Sequence, residues 1–455
     1  MNNLQKFHFI AIGGSLMHNL ALALHSQGHQ VTGSDDQFFN PSKSRLEKAG
    51  ILPDKEGWNA DRITPEIDAI ILGMHAKKDN PELLKAQELG LQIFSIPEFI
   101  YSQSTDKQRI VIAGSHGKTS ITSMIMHVLK HAGKTFDYAV GAQIEGFENT
   151  VHLSNDSSFI IIEGDEYLSS PIDRTPKFLR YNHHIALISG IAWDHINVFP
   201  TFEEYANQFD RLIDHTPKAG TLIYNAEDPI LSKKGDSYER DILKFDYKTH
   251  PHTIRDGITY LKHTNGETAI DVFGDHNLSN IGAAKMICDR LCISEGDFYE
   301  AIATFKGASK RLEVLKKSSE TTIYRDFAHA PSKVKASTQA VKKQFPSSSL
   351  VACLELHTFS SLNKTFLKEY NGTLNQADDA IVFIDPVALE KKGGISISQE
   401  ELRDAFKKND LLLFTNSKEL SDHLSKKTWS QTNLLLMSSG NFGGIDFSQL
   451  TSLIA

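Results

Sequence analysis

A glycine-rich segment that ends in a lysine and two hydroxyl residues is the part of the sequence best suited to chemistry. It consists of Gly114, Ser115, His116, Gly117, Lys118, Thr119 and Ser120. Glycines let backbone N–H groups close around phosphates, the lysine can reach terminal phosphate oxygens, and the threonine can hold magnesium. Ile112 stands where the general pattern has its first glycine, so this is a shorter variant. The segment predicts a phosphate-binding loop, with a plain glycine turn as the alternative.

Two further polar groups follow strand-like apolar runs. Glu163, Asp165 and Glu166 come directly after one run, and Asp194 with His195 follows another. Ligands of open α/β sheets gather at the carboxyl ends of strands. Magnesium prefers oxygen ligands, so Glu163 suits it well and His195 is a less usual ligand. Either group alone could equally be structural, but both follow the predicted phosphate loop.

The amino-terminal region carries a weaker nucleotide signal. Gly13 and Gly14 follow a strand-like run, but the dinucleotide fingerprint is incomplete. Asp35 and Asp36 end the next strand candidate and could bind a ribose or a base, or serve only in a turn. An NAD-dependent oxidoreductase is therefore the alternative function of another class.

The elements that position these residues predict an α/β protein. Short β-branched runs alternate with helix-like stretches, which favours parallel sheets. At 455 residues the chain exceeds one ordinary core. We predict three domains: an N-terminal Rossmann-like domain (1–106), a central P-loop ATPase-like α/β domain (107–310) and a C-terminal Rossmann-like α/β domain (311–455). The strand candidates are 9–12, 30–33, 68–72, 109–113, 324–327, 350–354, 380–384, 411–414 and 434–437, and 121–129 is a helix candidate.

Composition limits the classes of partner. A formal net charge of −8 argues against a nucleic-acid-binding protein. No apolar run approaches the roughly 20 residues of a membrane helix, and no basic leader precedes the first strand, so we expect neither membrane insertion nor export. The three cysteines, an odd number without metal spacing, indicate a reducing compartment such as the cytoplasm. We expect all three to be buried.

Six motifs follow one another along the chain. They are the loop 114–120, the acidic cluster 163–166, Asp194-His195, the segment 274–280, Phe305-Lys306-Gly307 with Arg311-Leu312-Glu313, and the segment 326–331. In this order they resemble the motifs of the Mur ligases, the ATP-dependent amide-forming enzymes of peptidoglycan assembly. The resemblance implies ATP and Mg²⁺ as cofactors and a UDP-linked muramic acid as one substrate. It also implies that the muramate carboxylate is phosphorylated and then captured by an amine.

The resemblance assigns a role to individual residues. For catalysis it implies Lys118, Glu163, His195 and His329; for metal binding, Thr119, Glu163 and His195. For ATP it implies residues 114–120 with His276, Asn277, Asn280, Arg311 and Asp326; for the UDP-muramate, Gly13, Gly14, Ser15, Ser34, Asp35 and His75. Considered alone, Asn277 and Asn280 could equally cap a helix, and His329 could be a core or interdomain residue.

Within the family, three stretches resemble the murein peptide ligases, which attach L-alanyl-γ-D-glutamyl-meso-diaminopimelate to UDP-N-acetylmuramate. They are 32–36 with 41–44, then 165–167 with Asp173, Lys177-Phe178 and Tyr181, and finally 437–445. An L-alanine-adding ligase is the alternative, and the expected state is a monomer or weak homodimer.

The chain departs from the family at several positions. Ser115 replaces the usual threonine, Ala330 replaces a second histidine, and no lysine occurs between 196 and 217 to be carbamylated. The segment 355–360 replaces an arginine-containing motif, which leaves His357 and Ser360 as the predicted peptide-binding residues, or as parts of a turn.

Overall fold

The computed structural model describes residues 4–195, 198–237, 239–307, 311–391 and 396–452. These residues form two compact units. Unit 1 comprises residues up to 193, residues 198–248 and residues 283–294; unit 2 comprises 194–195, 249–282 and the residues from 295 onward. The boundaries of the three predicted domains remain a prediction.

The strands and helices alternate along most of the described chain. The strands are β1 (Lys6–Ile10), β2 (Gln30–Ser34), β3 (Ala69–Leu72), β4 (Gln92–Ser95), β5 (Gln108–Ala113), β6 (Asp137–Ala139), β7 (Val151–His152), β8 (Phe159–Glu163), β9 (Ile185–Ile188), β10 (Thr221–Asn225), β11 (Leu243–Tyr247), β12 (His252–Arg255), β13 (Ile258–His263), β14 (Gly266–Ile270), β15 (Glu313–Lys317), β16 (Thr322–Asp326), β17 (Ser349–Glu355), β18 (Asp379–Phe383), β19 (Leu412–Phe414) and β20 (Thr432–Met437). The helices are α1 (Ser15–Ser26), α2 (Ser42–Lys48), α3 (Pro81–Glu88), α4 (Ile96–Ser102), α5 (Lys118–His131), α6 (Lys177–Arg180), α7 (Phe202–Asp214), α8 (Pro229–Ser237), α9 (Asp275–Arg290), α10 (Glu295–Ala303), α11 (Pro331–Gln344), α12 (Pro386–Lys391), α13 (Gln399–Phe406), α14 (Ser417–Ser425) and α15 (Phe447–Thr451).

The first sheet of unit 1 has four parallel strands in the order β2-β1-β3-β4. Strand β1 ends at Ile10, two residues earlier than the predicted run 9–12. The N–H groups of Ala11 and Ile12 both donate to the Ser34 carbonyl at 2.9 Å, and Ala11 has a φ of 70°. This left-handed residue ends the regular ladder, because non-glycine residues in a strand keep a negative φ.

The second sheet of unit 1 has seven strands in the order β11-β10-β9-β5-β8-β6-β7. All neighbours are parallel except β7, which pairs antiparallel to β6 at one edge. Strand β5 lies between β8 and β9, with Ile112 opposite both Glu163 and Leu187. The polar residues that follow β5 and β8 therefore reach the same edge of the sheet.

Unit 2 is built on a six-stranded sheet in the order β15-β16-β20-β17-β18-β19. Only β15 runs antiparallel to its neighbour. Successive residues of β17 enter different cores: Leu350 and Ala352 pack in one, Val351 and Cys353 in the other. Both faces are covered, as parallel sheets require. A separate antiparallel sheet, β12-β13-β14, completes the unit.

The predicted α/β class with parallel sheets is confirmed. One cysteine prediction was wrong: Cys288 and Cys353 are buried, but Cys292 is exposed. It follows the end of α9 with a φ of 56°, outside the buried face of the helix. None of the helices in the described part of the chain combines the length and apolar character that crossing a bilayer needs.

Candidate functional site

The glycine segment connects the central strand β5 to helix α5, as the sequence predicts. Gly114 and Gly117 have φ values of 126° and 81°, which favour glycine. A Cβ on Gly114 would lie 2.1 Å from Ser189 Oγ, so this position has no room for a side chain. The Ser115 N–H donates to the Gly190 carbonyl at 2.9 Å, and the Ser189 hydroxyl donates to the His116 carbonyl. These contacts fix the turn against the end of β9.

Lys118 is the first residue of α5, and its ammonium is held at the turn. Nζ donates to the Gly114 carbonyl at 2.7 Å and to Glu166 Oε2 at 2.6 Å. Burial lowers the pKa of Lys118, but the carboxylates of Glu166, Asp165 and Glu163 outweigh it and leave the pKa raised. The lysine is therefore a fixed cation beside the backbone that would surround a phosphate.

Thr119 and Glu163 bring two oxygen groups together beside this cation. Thr119 Oγ1 donates to Glu163 Oε1 at 2.8 Å, and the Gly141 N–H donates to Glu163 Oε2 at 2.9 Å. Glu163 is the last residue of β8, so the strand register places it here. A hydroxyl next to a carboxylate matches the oxygen donors that Mg²⁺ prefers, so these residues fit the ion. Ser120, next in the helix, is buried.

Tyr205 supports the site, and the sequence did not single it out. Its hydroxyl donates to Glu166 Oε1 at 2.9 Å and lies 2.7 Å from Ser115 Oγ, which in turn accepts the Ala192 N–H at 2.8 Å. Tyr205 lies on the buried face of α7, where a tyrosine resembles any core aromatic residue. The sequence indicates Glu166 as a member of the acidic cluster, but it does not predict the ion pair of Glu166 with Lys118.

The first sheet brings some predicted UDP-binding residues together. Asp35 Oδ2 accepts the Gly13 N–H at 2.7 Å, and burial together with a hydrogen bond to Asp36 raises the pKa of Asp35 to about 6. Gly14 precedes the first residue of α1, the exposed Ser15.

Two other predicted UDP-binding residues differ in setting. Ser34 is fully buried, and its hydroxyl donates to the buried Glu82. The Ser34 hydroxyl is therefore already bonded within the buried interior of unit 1. His75 is exposed in the segment after β3.

Three of the predicted ATP-binding residues are electrostatic neighbours in unit 2. Burial lowers the pKa of His276. The negative charge of Asp326 raises this pKa, and the positive charge of Arg311 lowers it further. The Arg311 guanidinium lies over the Phe327 ring, 4.8 Å from its centroid. The separate sequence motifs that contain these residues therefore converge within one unit.

The predicted nucleoside contacts also have structural partners. Asp326 is buried; Oδ1 accepts the Ala328 N–H at 2.9 Å and Oδ2 accepts the Ser337 hydroxyl at 2.8 Å. Asn277 Nδ2 donates to the Phe273 carbonyl at 2.9 Å in the first turn of α9. Asn280 is buried one turn further along.

His195 and His329 belong to unit 2. His195 has a φ of 55°, and its N–H donates to Asp194 Oδ1 at 2.8 Å. His329 Nδ1 lies 2.8 Å from the Phe327 carbonyl, so the ring donates through Nδ1. Burial, with the cation of Lys333, lowers the pKa of His329 to about 4. His329 is thus neutral near pH 7, with its lone pair on Nε2.

The predicted peptide-binding residues follow β17, which lies between β20 and β18. His357 is partly exposed, with Nδ1 3.6 Å from Glu355 Oε1. Ser360 is partly exposed in the following turn, where its carbonyl accepts the Asn363 N–H at 3.0 Å. Both positions lie beyond the carboxyl end of a central parallel strand, the usual place for ligands.

Comparison with known proteins agrees with this architecture. Residues 6–107 match the model of the Mur ligase family catalytic domain, and residues 112–288 match that of the Mur ligase middle domain. A UDP-N-acetylmuramate–L-alanine ligase from Caldicellulosiruptor saccharolyticus is 31% identical, over 89% of this chain and 89% of its own. A UDP-N-acetylmuramate–L-alanyl-γ-D-glutamyl-meso-2,6-diaminoheptandioate ligase from Escherichia coli K12 is 26% identical over 98% of each chain.

Similarity in three dimensions also spans the chain. The crystal structure of a murein peptide ligase from Psychrobacter arcticus 273-4 covers 99% of this chain with 98% of its own, at 21% identity and a TM-score of 0.65. These matches leave no support for the oxidoreductase alternative. By its similarity to these relatives, the chain belongs to the Mur ligase family and is an ATP-dependent amide ligase.

Proposed function

We propose that this ligase joins L-alanyl-γ-D-glutamyl-meso-diaminopimelate to the muramate carboxylate of UDP-N-acetylmuramate, and that ATP is converted to ADP and phosphate. The observation that carries the ligase chemistry is the arrangement of Lys118, Glu166, Thr119 and Glu163 around one glycine turn. The peptide preference is supported by similarity to the E. coli relative over 98% of both chains. An L-alanine-adding ligase is the second candidate, because the relative at 31% identity has that name.

The first step needs positive charge, because a carboxylate and a triphosphate repel each other. A muramate carboxylate oxygen bonds to the γ-phosphorus while the bond to the ADP oxygen breaks. Lys118 withdraws charge from the phosphate oxygens, and the backbone of residues 114–117 orients them. Thr119 and Glu163, with His195, would hold magnesium, which neutralises phosphate charge when bound. Ser115, His116 and Ser120 complete this phosphate end.

In the second step the peptide amine attacks the acyl carbon, and phosphate leaves. The amine must lose a proton as the C–N bond forms. His329 is neutral near pH 7 because burial lowers its pKa to about 4, so Nε2 can accept a proton. We assign this proton transfer to His329. Because the pKa of His329 is about 4, the protonated imidazole releases the proton again at pH 7.

The remaining substrate contacts are assigned to residues in two parts of the chain, 13–75 and 276–360. We assign the UDP-muramate to Gly13, Gly14, Ser15, Ser34, Asp35 and His75, of which Ser34 has its hydroxyl bonded to Glu82. We assign the adenosine end of ATP to His276, Asn277 and Asn280, its phosphate to Arg311 and its ribose to Asp326. We assign the incoming peptide to His357 and Ser360. The proposal includes action in the cytoplasm, as a monomer or weak homodimer, without nucleic acid.

A competition assay tests the proposal. The purified full-length protein is given ATP, Mg²⁺ and UDP-N-acetylmuramate with L-alanine, L-alanyl-γ-D-glutamate and the diaminopimelate tripeptide together, and products are resolved by mass. The tripeptide product should predominate, with one ADP formed per amide. Predominance of the L-alanine product would establish the second candidate instead.

A further inference from the structure

The turn that connects β10 to α8 is the feature of unit 1 that the proposed chemistry does not yet use. This β10 turn comprises residues 225–228. Strand β10 pairs with β9 and β9 pairs with β5, all in parallel, so the carboxyl ends of the three strands lie at one edge of the sheet. The β10 turn therefore lies at the same edge as the glycine turn, residues 114–117. Two of its polar side chains, Asn225 and Asp228, are partly buried.

The segment that follows β9, residues 189–191, fixes the glycine turn directly. The Ser189 hydroxyl donates to the His116 carbonyl. The Ser115 N–H donates to the Gly190 carbonyl at 2.9 Å. The backbone N–H groups that would surround a phosphate therefore depend on this segment for their positions.

Asn225 and Asp228 hold the segment 189–191 in its place. Asn225 Nδ2 donates to the Ser189 carbonyl at 3.2 Å, and Asp228 Oδ2 accepts the Ile191 N–H at 2.9 Å. These contacts engage the two peptide groups that flank the Cα of Gly190. The β10 turn therefore determines where Gly190 lies.

Gly190 passes this constraint to the glycine turn by two routes. The peptide group that follows Gly190 is bonded at both ends, because its N–H donates to Asp228 and its carbonyl accepts the Ser115 N–H. A Cβ on Gly190 would lie 2.4 Å from His116 Cε1 and 3.3 Å from Asp228 Oδ2. The imidazole of His116 and the carboxylate of Asp228 thus both pack against this glycine.

We infer that Asn225 and Asp228 are positioning residues that set the backbone of the glycine turn for phosphoryl transfer, acting through residues 189–191. Neither side chain needs to touch ATP for this role. A displacement of about 1 Å at a reacting group can slow a reaction about a hundredfold. Since the groups that bind ATP all remain when this support is weakened, the loss should fall on kcat rather than on KM. The inference rests on the proposed binding of ATP at the glycine turn and adds two residues that support that site.

Asp228→Asn removes one half of this support with almost no change in side-chain shape. Asp228 Oδ1 caps α8, because it accepts the Ile230 and Leu231 N–H groups at 2.9 and 3.0 Å. An asparagine is also a good helix cap, but it has only one acceptor oxygen. The variant can therefore keep the cap while the Ile191 N–H loses its acceptor.

Asn225→Asp is the matched change at the other position. Asn225 Oδ1 accepts the Glu227 N–H at 2.9 Å, which an aspartate can also do, but an aspartate cannot donate to the Ser189 carbonyl. The two substitutions change the local charge in opposite directions. A purely electrostatic effect on the phosphates would therefore have opposite signs in the two variants, whereas lost positioning slows both.

Steady-state ADP release tests the inference. ATP is varied at saturating UDP-N-acetylmuramate, Mg²⁺ and whichever amine, the diaminopimelate tripeptide or L-alanine, the unmodified enzyme ligates. We expect kcat to fall about tenfold in both variants, while KM for ATP changes by no more than about threefold. Circular dichroism and the urea midpoint show whether each variant is folded. If Asp228→Asn does not fold, the neutral Asn225→Ala takes its place and should lose as much kcat as Asn225→Asp.

The controls are two exposed helix caps of unit 2, changed in the same two ways. Asp446→Asn at α15 and Asn416→Asp at α14 alter side chains that accept a backbone N–H at 2.9 Å, and both should leave kcat within about twofold. Unchanged kcat in the two β10-turn variants, or a rise in one and a fall in the other, would overturn the inference. A rise of about tenfold in KM for ATP at unchanged kcat would overturn it as well. No ADP release by the unmodified enzyme with either amine would instead contradict the proposed function.

Discussion

Lys118 Nζ lies 2.6 Å from Glu166 Oε2, and this ion pair connects the glycine turn after β5 to the acidic segment after β8. The side chain of Glu166 is buried and that of Lys118 is 15% exposed, so solvent screens the pair only weakly. The same cation contacts the carbonyl of Gly114, the first glycine of the loop. A phosphate entering the loop would meet a lysine that is already placed and charged.

Replacing Lys118 with alanine should lower kcat/KM for ADP release by about a hundredfold or more, because a fixed cation at the triphosphate is lost. The matched control is Lys130→Ala on the same helix, where Nζ contacts the Gly146 carbonyl at 2.9 Å. That exposed contact should change activity by no more than about twofold. Equal activities of the two variants in the ADP-release assay would show that the loop does not bind ATP.

Tyr205→Phe should lower the free energy of unfolding by about 1–2 kcal/mol. The change removes a buried hydroxyl that contacts both Glu166 and Ser115, but it keeps the ring. Urea denaturation without nucleotide measures the loss. Tyr101→Phe, at a partly exposed ring beneath Arg109, is the control and should leave stability nearly unchanged. A loss no larger than that of the control would mean that Tyr205 serves only as core packing.

Gly114→Ala should destabilise the protein by about 3 kcal/mol and abolish ATP binding, because its Cβ would lie 2.1 Å from Ser189 Oγ. Gly133→Ala provides the comparison: its φ of 65° is also left-handed, but no atom lies within 4 Å of the added carbon. This second variant should lose only about 1 kcal/mol. Denaturation curves with isothermal titration of ATP distinguish the two. If Gly114→Ala bound ATP as tightly as the unmodified protein, the close contact between position 114 and Ser189 would not matter for ATP binding.

Acid should destabilise unit 1 through His183. Burial, followed by the charges of His215, His184 and Arg109, lowers the pKa of His183 to about 3 from an ordinary 6.5. The unfolded chain therefore binds more protons below pH 6.5, and stability falls as the pH drops from 6.5 toward 3, by up to about 1.4 kcal/mol per pH unit. Urea denaturation at pH 7.0 and 5.5 measures this loss.

The loss of unfolding free energy between pH 7.0 and 5.5 should be smaller in His183→Asn than in the unmodified protein. His25→Asn, at an exposed position of α1, should keep the full dependence. Identical pH dependence in all three proteins would rule out His183 as its source.

Asp35 should make the free energy of unfolding depend on pH with the opposite sign to His183. Its pKa is raised from 3.8 to about 6, chiefly by burial, so the folded state holds a proton that the unfolded chain releases. Its contribution to stability should therefore decrease as the pH rises from about 4 to 6. Asp35→Asn should lack this decrease, and Asp54→Asn, at an exposed position, should retain it. A decrease in Asp35→Asn that is equal to or steeper than that of the unmodified protein would contradict the assignment to Asp35.

The order of motifs along the chain was sufficient to predict the α/β class and the position of the glycine turn between a strand and a helix. The reason is local: strand, glycine turn and helix are adjacent in sequence, and β5, Gly114 and α5 follow one another as expected. The position of Glu163 at the end of a strand could be predicted as well, because it directly follows the apolar run 160–162. Its partner Thr119 is far from it in sequence and was brought near by strand register.

Other features depended on the tertiary structure. Tyr205 looks like a core residue until α7 packs its hydroxyl between Ser115 and Glu166. Ser34 was predicted to face a ligand, but packing of α3 directs its hydroxyl to Glu82. Glu355, the last residue of β17, accepts the Phe442 N–H with Oε2 at 2.8 Å because β20 lies beside β17. Sequence patterns encode local backbone geometry, whereas burial and the pairing of distant side chains exist only once the sheets have assembled.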